Sequence, residues 1–248
     1  MLLAVDIGNS SIKFGVFDGN KLTTKTSIST KQDSTPTEIN DRVGDRIAAP
    51  VDAAIACSVV PELEAAVAGF ASHFLQTELQ FVKNTDDLGL KFDFPIDRTG
   101  TDRLVNSFAA AEKYGAPCVV ISFGTATTFD VVDRERRYLG GCIAPGMAVN
   151  AKALAQATSK LPEVEICKPE NVIAKTTEGA ILSGIVLGHV AMAEGLLQRI
   201  IKELNDKPHV IATGGFARFV APDLGLIDHI DEDLTLEGLA MLHKRSAS

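Results

Sequence analysis

One succession of elements begins twice in this chain, and that leaves few folds open. Short apolar or alternating runs bounded by Gly, Asn or Asp predict strands at residues 2 to 7, 11 to 18 and 21 to 29. A polar helical stretch from about Pro36 to Ala48 follows, then the strand DAAIACSV, the helix PELEAAVAGFASHFL opened by Pro61, and the short strand ELQFV. Past a loop-rich segment from Lys83 to Gly100 comes an amphipathic helix, TDRLVNSFAAAEKYG, read as capped by Thr101 and closed by Gly115. Three strands then start again, PCVVISF, ATTFDVVD and RRYLGGCIAP. Helices at about 146 to 157 and 177 to 205, the strand HVIAT, a short helix after Gly214 and a last helix from about Leu234 to His243 complete the second pass. At an offset of 116 residues, DIGNSS lies over SFGTAT, and both place a glycine in the first turn, followed by amide or hydroxyl side chains. The expectation is an α/β protein made by internal duplication, each half a mixed sheet led by a three-strand antiparallel meander, with two unrelated meanders as the alternative that so thin an identity leaves open. The domains are expected at 1–115 and 116–248.

The size and balance of the chain are compatible with this. With 248 residues, 46% of them apolar and 23% charged, it can bury one large core or two smaller ones. No run reaches about 18 uninterrupted apolar residues, and MLLAVDIG meets an aspartate too early for a signal peptide, so a cytoplasmic protein without membrane partners is expected. Cys57, Cys118, Cys142 and Cys167 form no CxxC pair, three sit in apolar surroundings, and they read as buried free thiols; the five histidines show no ligand spacing. Net charge is −8 with the cations scattered, which disfavours nucleic acid, since counterion release needs clustered Lys and Arg. A small anionic substrate is still admissible, because backbone amides or a metal ion act locally against a global field.

The turns carry the chemistry. Gly8 lets the backbone approach a ligand closely, and Asn9, Ser10 and Ser11 add short polar groups, so phosphate oxygens fit such a cradle. Asp6, at the end of the preceding strand, would aim a carboxylate at the same space, where magnesium bridging phosphates could use it directly or through water. Gly124-Thr125-Ala126-Thr127 offers a second cradle, and two such hairpins imply a nucleotide clamped between two domains. Singly, each turn reads equally as an ordinary hairpin, Gly-Asn being a common type I′ signal. The ATGG at 212 to 215 shifts the balance toward a ligand, its glycines either admitting a flat base or ribose or only starting a helix.

Six ordered blocks carry a resemblance over nearly the whole length: DIGNSSIKFGVF at 6 to 17, GTDRLVN at 100 to 106, FGTATTFDVV at 123 to 132, GGCIAPG at 140 to 146, TTEGAILSG at 176 to 184, and ATGG. The chain resembles the type III pantothenate kinases, of the acetate and sugar kinase, Hsp70 and actin superfamily. The resemblance implies duplicated actin-like, ribonuclease H-like domains, a homodimer, and ATP-dependent phosphorylation of pantothenate in the first step toward coenzyme A. It implies Asp102 as general base on the pantothenate hydroxyl, in a helix first turn where backbone partial charge favours an anion. A helix-start aspartate serving the dipole alone is the plainer alternative. It further implies Arg103 as the grip on the substrate carboxylate, where a solvated helix arginine is the alternative. Phe92, Gly100, Thr101 and Thr177 join the substrate contacts, and Thr177 reads equally as a helix N-cap. The run Asp6, Ile7, Gly8, Asn9, Ser10, Ser11, Ile12 and Lys13 is implied to hold ATP phosphates and Mg2+, with Thr125 on the γ-phosphate side. Gly140, Gly141, Pro145 and Gly146 read as scaffold.

Two positions depart from the family pattern. Ser122 stands where the family has an aspartate of a potassium site, which puts a K+ or NH4+ requirement in question unless Asp130 or Asp133 takes over. Phe92 stands where a tyrosine is common, with the loss of a phenolic hydrogen bond. Neither touches the implied base. A non-catalytic ligand-sensing or transcription-accessory protein on the same fold is the alternative from another class, and Asp6, Asp102 and Arg103 argue against it. GTDR disfavours a sugar- or polyphosphate-acting relative.

Overall fold

A computed structural model describes residues 1–47, 50–84 and 87–247. The chain divides into two compact units, Met1–Lys113 with Asp233–Ser248, and Tyr114–Glu232.

The first unit opens with β1 (Leu2–Ile7), β2 (Ser11–Asp18) and β3 (Lys21–Ser29), followed by α1 (Pro36–Val43), β4 (Ala53–Ser58), α2 (Pro61–Phe74), β5 (Leu79–Phe81) and α3 (Thr101–Lys113). The sheet order is β3-β2-β1-β4-β5. LLAVDI is buried along its full length because β1 is the middle strand and covered on both faces. On one face Leu3, Val5, Ile7 and Phe14 pack with Ile39 of α1 and Leu63, Val67 and Phe70 of α2. Thr35 and Glu38 close a capping box at the start of α1, and Pro36 and Pro61 occupy first-turn positions that need no N–H. Helix α1 stops at Val43 and gives way to a tight turn at Gly44–Arg46, shorter than expected; Ala48 lies outside the described residues.

The second unit runs through β6 (Cys118–Phe123), β7 (Ala126–Val132), β8 (Tyr138–Pro145), α4 (Met147–Ala157), α5 (Thr177–Leu182), α6 (Gly188–Leu204), β9 (His209–Thr213), α7 (Ala217–Val220) and β10 (His229–Ile230). Its order, β8-β7-β6-β9-β10, repeats that of the first sheet. In both, the first two pairings of the meander are antiparallel and the next two strands run parallel. The duplication read from the 116-residue offset is therefore present in the backbone. A π-helical turn at Ser183–Leu187 joins α5 to α6, so Thr177–Leu204 is one helix, ended by Asn205 in the left-handed region at φ 52°. Val186, Ala193 and Leu197 pack into the core of this unit. By length and composition alone this helix could cross a membrane, and 33% of its most apolar window is buried.

The final helix, α8 (Leu234–Ala247), corrects the expected boundary. Residues 233–248 pack in the first unit, not the second. Gly238 lets α8 press on α3: a Cβ there would lie 2.9 Å from both Val105 Cγ1 and Ala109 Cβ. Thr235 Oγ1 donates to Asn106 Oδ1 at 2.7 Å in the same seam, and Lys113 pairs with Glu237. A split at residue 115 was the natural reading because the return of the last helix depends on these tertiary contacts, which leave no local signal.

Candidate functional site

Strand register assembles the first unit's site. In the antiparallel pair β1–β2, Asp6 faces Lys13; in the parallel pair β1–β4, it faces Cys57. The Asp6 side chain is nearly buried, at 7% residue exposure. Lys13 Nζ donates to Asp6 Oδ2 at 3.1 Å, and Cys57 Sγ lies 3.7 Å from Oδ1, so each carboxylate oxygen has a partner. Burial pulls the Lys13 ammonium down, but Asp6, by charge and hydrogen bond, with Cys57 and Asp102 behind it, more than reverses this and leaves the pKa above the usual lysine value. Burial first, then Asp6 and Asp102, push the Cys57 thiol well above its usual value. Asp102 is thus within electrostatic reach of this cluster.

The turn after Asp6 is held open by its own backbone and by the strand beyond. Gly8 N–H donates to Ser11 C=O at 3.0 Å, Thr30 N–H to Ser10 C=O at 3.1 Å, and Thr30 Oγ1 to Gly8 C=O at 2.6 Å. A Cβ at Gly8 would come within 3.1 Å of the Ser11 carbonyl. Asn9 and Ser10 are exposed at the tip, and Ile7 and Ile12 are buried beneath as the anchoring pair. Of the residues expected at ATP, then, Gly8, Asn9, Ser10 and Ser11 make the turn, Asp6 and Lys13 pair across the two strands it joins, and Ile7 and Ile12 serve the core.

Asp102 stands in the first turn of α3, as expected, and its Oδ1 folds back toward Gly100: a Cβ there would sit 2.6 Å from it. Glycine at position 100 is what leaves room for the carboxylate. Thr101 does not cap the helix. It is the first helical residue, and its Oγ1 donates to Ser58 C=O at 3.0 Å and accepts from Ser58 N–H at 3.2 Å, while Gly100 C=O accepts from the N–H groups of Arg103 and Leu104. The loop leading to this turn is gathered by Asn84, whose Nδ2 donates to the carbonyls of Ile96 and Thr99. Arg103 and Phe92 are both half-buried.

In the second unit, Gly124 N–H donates to Ala126 C=O at 3.1 Å, and Gly146 N–H to Thr125 C=O at 3.0 Å. Gly146 is backbone against backbone there, since a Cβ would lie 2.2 Å from the Gly124 oxygen; Gly141 lies as tightly on Phe129. These glycines are the scaffold expected of them. Beneath the turn, His189 Nε2 shares a hydrogen bond with Thr127 Oγ1 at 2.9 Å, and its ring meets Phe123 edge-on. Burial lowers the His189 pKa. Gly214, at φ +92°, would drive a Cβ to 2.6 Å from the Phe123 oxygen, so it serves strand packing; Gly215 faces open space.

Ser122 occupies the register position of Asp6, flanked by Thr128 and Thr213. Asp130 is committed elsewhere, accepting from Tyr138 Oη at 2.7 Å and Thr128 Oγ1 at 3.2 Å. Asp133 binds the Arg137 side chain and the N–H groups of Glu135 and Arg137, which closes the β7–β8 turn. Thr177 is exposed at the start of α5; the N-cap is Thr176, whose Oγ1 accepts from Gly179 N–H at 3.1 Å. Sequence reasoning missed Thr30, Cys57, Ser58, Asn84 and His189. Only Thr30 had a signal to find it, lying 116 residues before Gly146 and doing the same work.

The family model described as type III pantothenate kinase matches residues 2–199. A type III pantothenate kinase of Geotalea uraniireducens is 39% identical over 257 aligned residues, covering 99% of each chain. One of Brevibacillus brevis is 37% identical over 256, covering 100% of both. Among solved structures, a Campylobacter jejuni protein assigned to the Baf family of transcriptional activators aligns at TM-score 0.62 with 19% identity, over 99% of this chain and 98% of its own. The activator of 2-hydroxyisocaproyl-CoA dehydratase from Clostridium difficile, with bound ADPNP, aligns at 0.55 with 10% identity, over 99% and 95%. At these identities the solved structures speak to fold alone.

Proposed function

The chain belongs to the type III pantothenate kinase family, and from that premise we propose that it transfers the γ-phosphoryl group of ATP to the terminal hydroxyl of pantothenate, in the cytoplasm. The observation that carries this reading is one constellation within one unit: Asp102 on the first turn of α3, in electrostatic reach of the Asp6–Lys13 pair that borders an open glycine turn. Phosphoryl transfer asks for positioning and charge balance more than for covalent chemistry. Asp102 takes the hydroxyl proton as the oxygen attacks phosphorus. Arg103, one residue on, grips the pantothenate carboxylate in a fork, and Thr177 and Phe92 are further substrate contacts. The turn from Gly8 to Ser11 and the ammonium of Lys13 take phosphate oxygens, and Thr125 offers donors of the same kind in the second unit.

The first turn offers a metal one buried carboxylate, Asp6, and the hydroxyls of Ser10 and Ser11; among the described residues no three His, Cys, Asp or Glu form a cluster. That set fits magnesium carried by nucleotide phosphates and keeping most of its water, with Asp6 contributing through a water because Lys13 holds one oxygen. When bound, magnesium neutralises phosphate charge. Ser122 and its threonine neighbours bring no carboxylate of their own, and Asp130, bonded to Thr128, is already held by Tyr138, so weak dependence on K+ or NH4+ is part of the proposal.

Assembly as a homodimer through Thr177–Leu204 completes it. Gly184 and Gly188 of this apolar helix face open space, so it is not the central core helix of one chain. Sedimentation at micromolar concentration should give twice the chain mass; a monomer sinks the assembly. For the reaction, purified protein with ATP, Mg2+ and pantothenate should yield ADP and phosphopantothenate in equal amounts, and ADP alone would refute the substrate.

A further inference from the structure

Every backbone group at the end of β4 has to find a partner once its neighbour strand stops. Alternate residues of β4 turn toward β5: Ala54 and Ala56 pair with Leu79 and Phe81, and Val82 N–H donates to Ala56 C=O at 2.8 Å. Val59 turns the other way, its N–H donating to Ile7 C=O at 3.0 Å. Ser58 therefore faces the β5 side, two residues past the end of β5, with an N–H and a C=O that no strand among the described residues meets. The Thr101 hydroxyl meets both, as donor at 3.0 Å and acceptor at 3.2 Å. One side chain extends the sheet by one step and ties the start of α3 to the strand end beside Cys57 and Asp6. The next residue is Asp102, whose Oδ1 lies against Gly100 on the other side of Thr101.

We infer that Thr101 is the positioning residue for Asp102: its hydroxyl docks the first turn of α3 on the end of β4 and so sets the carboxylate relative to Asp6 and Lys13. The inference rests on the kinase reading for its catalytic consequence and on the Ser58 contacts for its geometry. Its single O–H proton is committed to the Ser58 carbonyl, so the side chain supports the site without donating to a substrate. Displacement of a reacting group by about 1 Å costs on the order of 10²-fold in rate.

The test compares Thr101→Val, which keeps the shape and loses the hydroxyl, with Thr101→Ser, which keeps the hydroxyl. Expected for Thr101→Val, well below its melting temperature, is a kcat about 10- to 100-fold lower, a KM for ATP within about twofold of the parent, and faster hydrogen exchange at the Ser58 amide. Thr101→Ser should return kcat to within about threefold of the parent. Adding Thr101→Val to Asp102→Asn should cost little beyond Asp102→Asn alone, because the first change acts through the second group. Losses that multiply, a Thr101→Val kcat within about threefold of the parent, or a folded Thr101→Ser as slow as Thr101→Val would each overturn the inference. A parent protein that makes no phosphopantothenate overturns the kinase reading instead, and is told apart because Ser58 exchange still separates the variants.

Discussion

At equivalent register the first unit sets Asp6, Lys13 and Cys57 side by side, and the second sets Ser122, Thr128 and Thr213. The sheets around them agree strand for strand. Charge was therefore kept or acquired on one copy of the strand ends and is missing from the other, although the backbone gives both the same opportunity. The turns above differ as well. Residues 8–11 separate the pair Ile7 and Ile12, whereas residues 124–126 separate Phe123 and Thr127. The longer turn is latched by a side chain, Thr30 Oγ1 on Gly8; the shorter one is pressed into place by the bare backbone of Gly146, at the matching position after the third strand. A latch can be weakened by degrees. A backbone contact admits no added atom.

The largest expected break in this comparison is chemical and confined to the first unit. Asp102→Asn is isosteric at a helix start that tolerates Asn, and should lower kcat by about 10² to 10⁴ while leaving the melting temperature and ATP binding near those of the parent. More than about a tenth of parental turnover would remove Asp102 from the role of base.

Next comes the second unit's turn. Gly146→Ala brings a Cβ to 2.2 Å from the Gly124 oxygen and 2.6 Å from that of Thr125, and neither is the movable end of a side chain. A loss of about 2–4 kcal/mol in a denaturant titration is expected. Thr30→Val, which removes one hydrogen bond from the first turn, should cost about 1 kcal/mol. Equal losses would show that the two turns are held alike.

Ser122→Asp would make the two strand ends more similar. The parent protein should change rate by less than about twofold across a potassium series in sodium- and ammonium-free buffer, and the variant should respond more steeply. Strong saturable activation of the parent would show that a cation site survives without a carboxylate at position 122.

The smallest effect is a pH dependence that the second unit carries. Burial depresses the His189 pKa in the folded chain, while an unfolded imidazole titrates near about 6.5. Below that pH the unfolded chain binds more protons, so the contribution of this site is full above about 6.5 and is lost as pH falls through the lower folded pKa. His189→Gln should flatten the fall in melting temperature over that window, by about 2–4 °C for each kcal/mol involved. An unchanged slope would assign the acid loss to other groups.

Much of this was legible in the sequence where the determinant is local. Alternation and bounding turn residues mark the strands of both meanders, and Gly8 and Gly124 stand in the expected turns. Asp102 in a first turn follows from Gly100 and the amphipathic run after it. What escaped was long-range. Cys57 meets Asp6 only through a parallel register between strands 51 residues apart. Thr101 looks like an N-cap, having the right residue type one position too late, and the waiting Ser58 backbone takes its hydroxyl instead. Thr176 and Thr177 both qualify as caps by type, and which one caps is decided by where the backbone turns extended, at Thr176 with ψ 157°.

The return of α8 to the first unit has a consequence for synthesis. Leu234, Leu236, Leu239 and Leu242 are buried in a helix that packs on α3, β1, β2 and β4, so the first unit is missing part of its interior until α8 has been made. The second unit lies whole between its two segments and has all its strands by Ile230. A chain emerging from the ribosome thus completes the second unit first. The half with the earliest residues, and with Asp6 and Asp102, closes only once α8 has been made.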